Sequence, residues 1–244
     1  MTVLTKKENE KIHQKVTKYS HYAFCHYLFT HSDNIRLAFC QKIMPNRKII
    51  STHIRNASFP GDAVSIKGNI LAIDDKGDYY NIEMQAYDIT EGEMNRFQIY
   101  AGILLRIQSE RGKRYQNIHI VRQLILNLGR PIENMNHFYH HFIIYDKEHQ
   151  MELPYSKQDL HIFQPYYFEE EDKTDEVNQL MYLFKNDVIY DKIELGELVR
   201  EAIKMHEQYI DSEEYWKAIN DEIALFTANT RMWEEKQRGI SRTC

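Results

Sequence analysis

Between Ser65 and Ala86 apolar and polar positions alternate on either side of a short acidic break, Asp74-Asp75-Lys76-Gly77-Asp78. Two β-rich runs flanking a Gly-containing break predict a hairpin with a short bulged loop. One face gathers Ile66, Ile70, Ala72, Tyr80, Ile82, Met84 and Ala86. The other gathers Lys67, Asn69, Asn81, Glu83 and Gln85, with Leu71, Ile73 and Tyr79. Period-2 patterning predicts a buried first face and a polar second one. If the loop is Asp75-Lys76-Gly77, with Gly77 in the left-handed region, Asp74 stands opposite Asp78, Asn69 opposite Glu83 and Lys67 opposite Gln85. Opposed Cβ atoms lie roughly 5 Å apart, so Lys67, Asn69, Glu83 and Gln85 form one polar cluster. A two-residue loop shifts that pairing.

The remaining elements follow from the same patterning. Residues 1–16 are polar and predict an irregular lead. Tyr19 to Phe29 fits a buried helical turn or two. A helix capped at Ser32 or Asp33 runs to about Met44, where Pro45 closes it. Ile49 to Ser58 has strand character. The stripe Met94, Phe97, Ala101, Leu104 and Leu105 predicts a long helix over 89–111, ended by Gly112. Strands are expected over 115–127, 137–145 and 160–168, and helices over 177–188, 195–209 and 212–238. The acidic run Glu169-Glu170-Glu171-Asp172 reads as a solvated link. The chain thus divides into an α/β core, residues 1–168, and a helical C-terminal region, residues 169–244.

Composition narrows the function classes. At 43% apolar and 27% charged, with 17 tyrosines, the chain has the balance of a soluble globular protein. No run approaches the ~20 apolar residues of a membrane span, and the first residues lack the apolar segment of a secretory signal. Cys25, Cys40 and Cys244 show no CxxC spacing, so the expectation is a reducing, cytoplasmic setting. The net charge of −5 argues against nucleic acid as a partner on average, yet residues 96–130 are distinctly basic.

Arg96, Arg106, Arg111, Lys113, Arg114, Arg122 and Arg130 can contact phosphates, and Tyr100 and Tyr115 can add stacking; a solvated helix flank is the equal alternative. His137, His140, His141 and His149 lack any accompanying metal-site spacing and read as ordinary strand and loop histidines. There is no GxxxxGK[ST], GxGxxG or GxSxG, which removes simple P-loop, dinucleotide-binding and hydrolase-elbow readings. For the hairpin cluster two readings stay open. It is either a wet sheet face, or a scaffold whose carboxylate holds a hard divalent ion while a polar neighbour orients water.

Five stretches, in this order, resemble the PD-(D/E)XK nuclease superfamily, in its transposase-like, recombination-promoting branch. They are HYAFCHYLF, NILAIDDKGDYYNIEMQ, RFQIYAGILLRIQSERGKRYQNI, NHFYHHFIIYD and LVREAIKMHEQYIDSEEYWKAIND. NIEMQ after an acidic, Gly-containing turn is the most specific. The resemblance implies a restriction-endonuclease-like fold, a mixed sheet flanked by helices, and a Mg²⁺- or Mn²⁺-dependent endonuclease acting on DNA. It places Glu83 at a metal position and Gln85 where the superfamily carries Lys, with Arg96 and Tyr100 flanking the site; Lys113 and Arg114 of the basic series are the further expected DNA contacts. The expected metal-binding Asp is Asn69, the Asp of the opening segment falls at His21, and Phe163-Gln164-Pro165 replaces the family's usual pattern after the later strand.

An amide oxygen lacks the charge that makes carboxylate a strong Mg²⁺ ligand. Asp62, Asp74 or Asp75 could supply that charge; the chain could be a degenerate member that binds without cutting; or Asn69 could be a substitution made to trap an inactive protein. Lys67, if it faces Gln85, could stand in for the superfamily Lys. The alternative function is a non-catalytic DNA- or protein-binding module on the same fold. A homodimer is compatible with cutting two strands.

Overall fold

The structure, a computed structural model, describes residues 5–54, 70–109, 115–169, 173–189 and 194–240, with side chains described as far as residue 228. It opens with a helix, α1 (Lys6–Val16), where the sequence predicts an irregular lead. The helix is set by a capping box: the Thr5 side chain accepts from the Glu8 N–H, and the Glu8 carboxylate accepts from the Thr5 N–H. Only Ile12 and Val16 are buried on it, which is too little apolar periodicity to reveal it in sequence.

Helices α2 (Tyr22–His31) and α3 (Asp33–Ile43) meet at Ser32, whose hydroxyl accepts from the Ile35 N–H at 3.0 Å and supplies the expected cap. After β1 (Thr52–Ile54) come β2 (Ile70–Asp74) and β3 (Tyr79–Gln85), the hairpin predicted from sequence. Its pairs run Ile70↔Ile82, Leu71↔Asn81 and Ala72↔Tyr80, the Asp74 N–H donates to the Asp78 carbonyl at 3.1 Å, and Gly77 has φ +88°. The three-residue loop is therefore in place. Asn69 and Lys67, to which the pairing was extended, lie outside the described residues, as do Lys113 and Arg114.

The long helix α4 (Glu91–Arg106) stops short of the expected Arg111. A 3-10 turn at Tyr115–Asn117 precedes β4 (Val121–Asn127), so the strand predicted from Tyr115 begins later. Next come β5 (Tyr139–Phe142), a ribbon of β6 (Tyr145–Asp146) with β7 (Met151–Glu152), and β8 (Gln158–Phe163). Pro165, which has no N–H to give a ladder, ends β8 in a 3-10 turn and not in a strand to Phe168. Helices α5 (Glu176–Asn186), α6 (Glu197–Ile210) and α7 (Glu213–Ile240) complete the chain. No helix among the described residues is long and apolar enough to cross a membrane.

The architecture is α/β. The main sheet has the order β1-β2-β3-β4-β8-β5, parallel between β3, β4 and β8 and antiparallel elsewhere. β3 and β4 lie in the middle, and both faces are covered. On one face Ile70, Ala72, Tyr80, Ile82, Leu124 and Leu126 join a continuous core with α1, α2, α3, α5, α6 and the start of α7. On the other, α4 lays Tyr100, Ala101 and Leu104 over Leu71, Tyr79 and Val121, and Phe97 over Ile125 and Ile162.

This corrects the expectation of a solvated polar face. Among the described residues the assignment of side chains to faces stands, but Asn81, Glu83 and Gln85 are buried. Their amide N–H groups donate within the protein, while Asn81 Oδ1 is buried without a hydrogen-bond partner among the described residues. Asn81 Nδ2 donates to Gln123 Oε1 at 2.5 Å, and Gln123 Nε2 donates to the Phe97 carbonyl of α4 at 3.2 Å.

The hairpin turn is fastened by a buried ionic network. Asp78 Oδ2 accepts from Arg47 (2.5 Å) and Arg122 (2.8 Å); Asp74 Oδ2 accepts from Arg47 (2.6 Å) and the Tyr80 hydroxyl (2.8 Å). Burial pushes the Asp78 carboxyl up, but Arg47 and Arg122 outweigh it and hold the group below the ordinary aspartate range. Removing one partner of such a pair strands the other, so Asp78→Ala should cost about 3 kcal/mol in urea unfolding. Because the folded-state value lies below the unfolded one (about 3.9), Asp78 stabilises fully above that pH, and the contribution is lost as pH falls through the folded value. The thermal midpoint should therefore drop less between about pH 5 and about pH 3 in Asp78→Asn than in the unmodified chain.

Candidate functional site

At its C-terminal end β3 carries Glu83 and Gln85 on the face covered by α4. Strand periodicity puts the two side chains on one side, and Gln85 Nε2 donates to Glu83 Oε1 at 3.0 Å. The start of α4 is fixed by a second capping box, Thr90 with Glu93, which sets Arg96 one turn further on. Arg96 is ion-paired to the same Glu83 oxygen. Its guanidinium lies over the rings of Phe97 (5.6 Å) and Tyr100 (5.8 Å), the latter four residues on along the same helix flank. Glu83 is 5% exposed, whereas the Arg96 side chain is 39% exposed, so the cation faces solvent and the anion does not.

Tyr100 does not present its ring for stacking on a nucleic-acid base. It is buried among Leu71, Tyr79, Leu104 and Val121, and serves as a platform under Arg96. Burial pushes its phenol up, against the opposing effect of Arg96. Helix periodicity placed it on the flank of Arg96 but could not show that the flank turns towards the sheet.

A cleft of ≈ 440 Å³ opens at this end of β3. Glu83, Gln85 and Arg96 line it together with Lys15 of α1, His21 at the N-cap of α2 and Glu222 of α7. Lys15 Nζ donates to Glu222 Oε2 at 2.7 Å and to the Tyr87 hydroxyl at 3.3 Å. His21 Nδ1 accepts the Ala23 N–H at 3.3 Å, so its proton sits on Nε2, 3.4 Å from Glu222 Oε1. Burial lowers the His21 pKa further than Glu222 raises it, leaving a neutral imidazole. Burial pushes the Glu222 carboxyl up, but Lys15 and His21 more than reverse this and keep it ionised.

The structure brings Glu83, Gln85 and Arg96 together and sets His21, Lys15 and Glu222 beside them. The resemblance had singled out position 21 only as a place where His stands for an expected Asp. Nothing in the local sequence marks Lys15 or Glu222, because their pairing arises from α1 lying against α7. Asp74 and Asp75 do not supply a second carboxylate. Asp74 is bound to Arg47 and Tyr80 at the turn, and Asp75 Oδ1 accepts the Ile50 N–H at 2.9 Å, both at the far end of the hairpin. Asp62 lies outside the described residues.

Glu83 and Glu222, with the Gln85 amide, offer hard oxygen donors of the kind Mg²⁺ and Mn²⁺ accept, and Arg96 is the resident cation with which an ion would compete. The histidines of the sequence reading do not converge here. His140 Nε2 accepts the His137 N–H at 3.4 Å, and His149 pairs with Asp146 at 2.8 Å.

Replacing Arg96 by Ala removes a counter-charge from a buried carboxylate. Discounted for the exposure of the guanidinium, the loss should be about 1–2 kcal/mol in denaturant unfolding, and an added divalent ion should restore part of it.

No protein-family model, no curated protein and no solved structure matches this chain.

Proposed function

We propose that this chain is a divalent-metal-dependent phosphodiester hydrolase acting on DNA, of the PD-(D/E)XK type in its recombination-promoting branch. One observation carries the reading. A buried carboxylate on a central strand is followed two residues later by a glutamine bonded to it, and both open onto a cleft that also holds Arg96 and Lys15. A mixed sheet with helices on both faces, its hairpin carrying the acidic residue, supports this reading.

In this reading Glu83 and Asn69 hold Mg²⁺ or Mn²⁺, which when bound would supply Lewis-acid activation of a phosphoryl oxygen and of water. Gln85 keeps the Glu83 carboxylate in one orientation through its Nε2 donor. Arg96, whose guanidinium lies 5.6 Å from the Phe97 ring and 5.8 Å from that of Tyr100, would take a phosphate oxygen on its exposed side. His21 keeps its proton on Nε2 towards Glu222, so it acts as a donor at the cleft wall and not as a base.

A second reading, a binding module without cleavage, is favoured by one feature: Arg96 already neutralises Glu83 where a second carboxylate would recruit an ion. A plasmid-nicking assay with Mg²⁺ or Mn²⁺ separates the two. Hydrolysis predicts weak nicking by the chain, stimulation by Asn69→Asp and loss in Glu83→Ala. Equal nicking by Glu83→Ala removes the assignment of this site. Salt-sensitive DNA binding without nicking, even in Asn69→Asp, supports the binding module.

A further inference from the structure

On the opposite face of the sheet from Glu83, near the free edge, the β5–β8 pairing sets His141 directly across from His161, and period 2 puts Asp159 on the same side as His161. One ligand atom from each of the three lies within 4.8 Å of the others. His161 Nε2 is 3.2 Å from Asp159 Oδ1, and His141 Nε2 is 3.9 Å from Asp159 Oδ2. We infer that His141, Asp159 and His161 form a three-ligand site for a borderline divalent transition metal, Zn²⁺ above all, with a fourth position open on the solvent side of His141.

Four observations support it. His161 is 1% exposed, yet its Nε2 and the facing Asp159 Oδ1 are both buried without a hydrogen-bond partner among the described residues. They sit at contact distance but out of hydrogen-bond alignment, which two lone pairs sharing a cation would explain. Second, a tetrahedral ion with bonds near 2.0 Å needs ligand atoms about 3.3 Å apart, so the observed spacing requires only a small closure.

Third, the outer shell is present. His161 Nδ1 is hydrogen-bonded to the Tyr139 hydroxyl at 2.7 Å, which directs Nε2 inwards, and Arg122 Nε stands 3.6 Å from Asp159 Oδ2, leaving Oδ1 for the ion. The main charge of Arg122 is met by Asp78 at 2.8 Å. Fourth, the ring of His141 stacks on that of His161 at 4.3 Å and its side chain is 44% exposed, so the ion has a route in. Two imidazoles and one carboxylate suit Zn²⁺, Co²⁺ or Ni²⁺ better than Mg²⁺. The ion would clamp the edge strand β5 to β8, far from the cleft at Glu83. The proposed site gives His141 a role that the sequence reading did not, because its partners come from a strand some twenty residues away.

The test is a Co²⁺ titration of the full chain after chelator treatment, with Zn²⁺ as competitor. The expected result is one equivalent of Co²⁺ with tetrahedral visible bands that Zn²⁺ displaces. His141→Ala, at the exposed edge, should abolish them while the circular dichroism spectrum is kept. Tyr139→Phe should weaken binding about 10- to 100-fold, and Glu83→Ala should leave it unchanged. No bands in the intact chain, or bands that survive His141→Ala, would overturn the inference. So would bands lost in Glu83→Ala, which would place the ion in the cleft.

Discussion

Water is kept from both faces of β3, so every charge this strand and its turn carry has to be neutralised inside the protein. At the turn, Asp74 and Asp78 are met by Arg47 and Arg122, which come from outside the hairpin and tie it to the α3–β1 connection and to β4. At the other end, Glu83 is met by Arg96 and Gln85. The hairpin is thereby held at both ends by ionic contacts, with Tyr80 and Ile82 between them in the core. A carboxylate fixed in this way is pre-oriented, because its rotamer is set before any ligand arrives. It also keeps Arg96 at the mouth of the cleft.

The two faces of the sheet serve different purposes. The face under α4 leads from an apolar stretch at Phe97 and Leu104 to the polar end at Glu83, where the cleft opens between α1, α4 and α7. The other face carries the large core over most of its area, and turns polar at the hairpin turn, around Asp74 and Arg122, and near β5, where Tyr139, His141 and His161 gather beside Asp159. Strand alternation lets the same sheet supply both environments, since neighbouring residues of β4 and β8 point to opposite sides.

Much of this was legible in sequence where the signal is local. The Asp-Asp-Lys-Gly-Asp break located the turn, and of the two loop lengths it allowed the structure has the three-residue one, with Gly77 left-handed. The Ser32 cap, the α4 stripe and the C-terminal helices were readable for the same reason. Burial of the polar face was not readable. Alternation in β3 looks the same whether water or a helix covers the polar side. Helix α1 was hidden by a sequence with two buried positions and a capping box that matters more than its periodicity. Lys15 and Glu222, and the meeting of His141 with His161, depend on tertiary contacts between distant segments, which no local pattern encodes.

If the Glu83 end of β3 holds a hard divalent ion, as we propose, the ion takes the place of the Arg96 contact. The most direct measurement is anomalous diffraction from crystals grown with Mn²⁺. A peak within bonding distance of Glu83, with the Arg96 guanidinium moved off its oxygen, is the predicted result. Arg96 still paired with Glu83 and no peak in the cleft at saturating Mn²⁺ would contradict it.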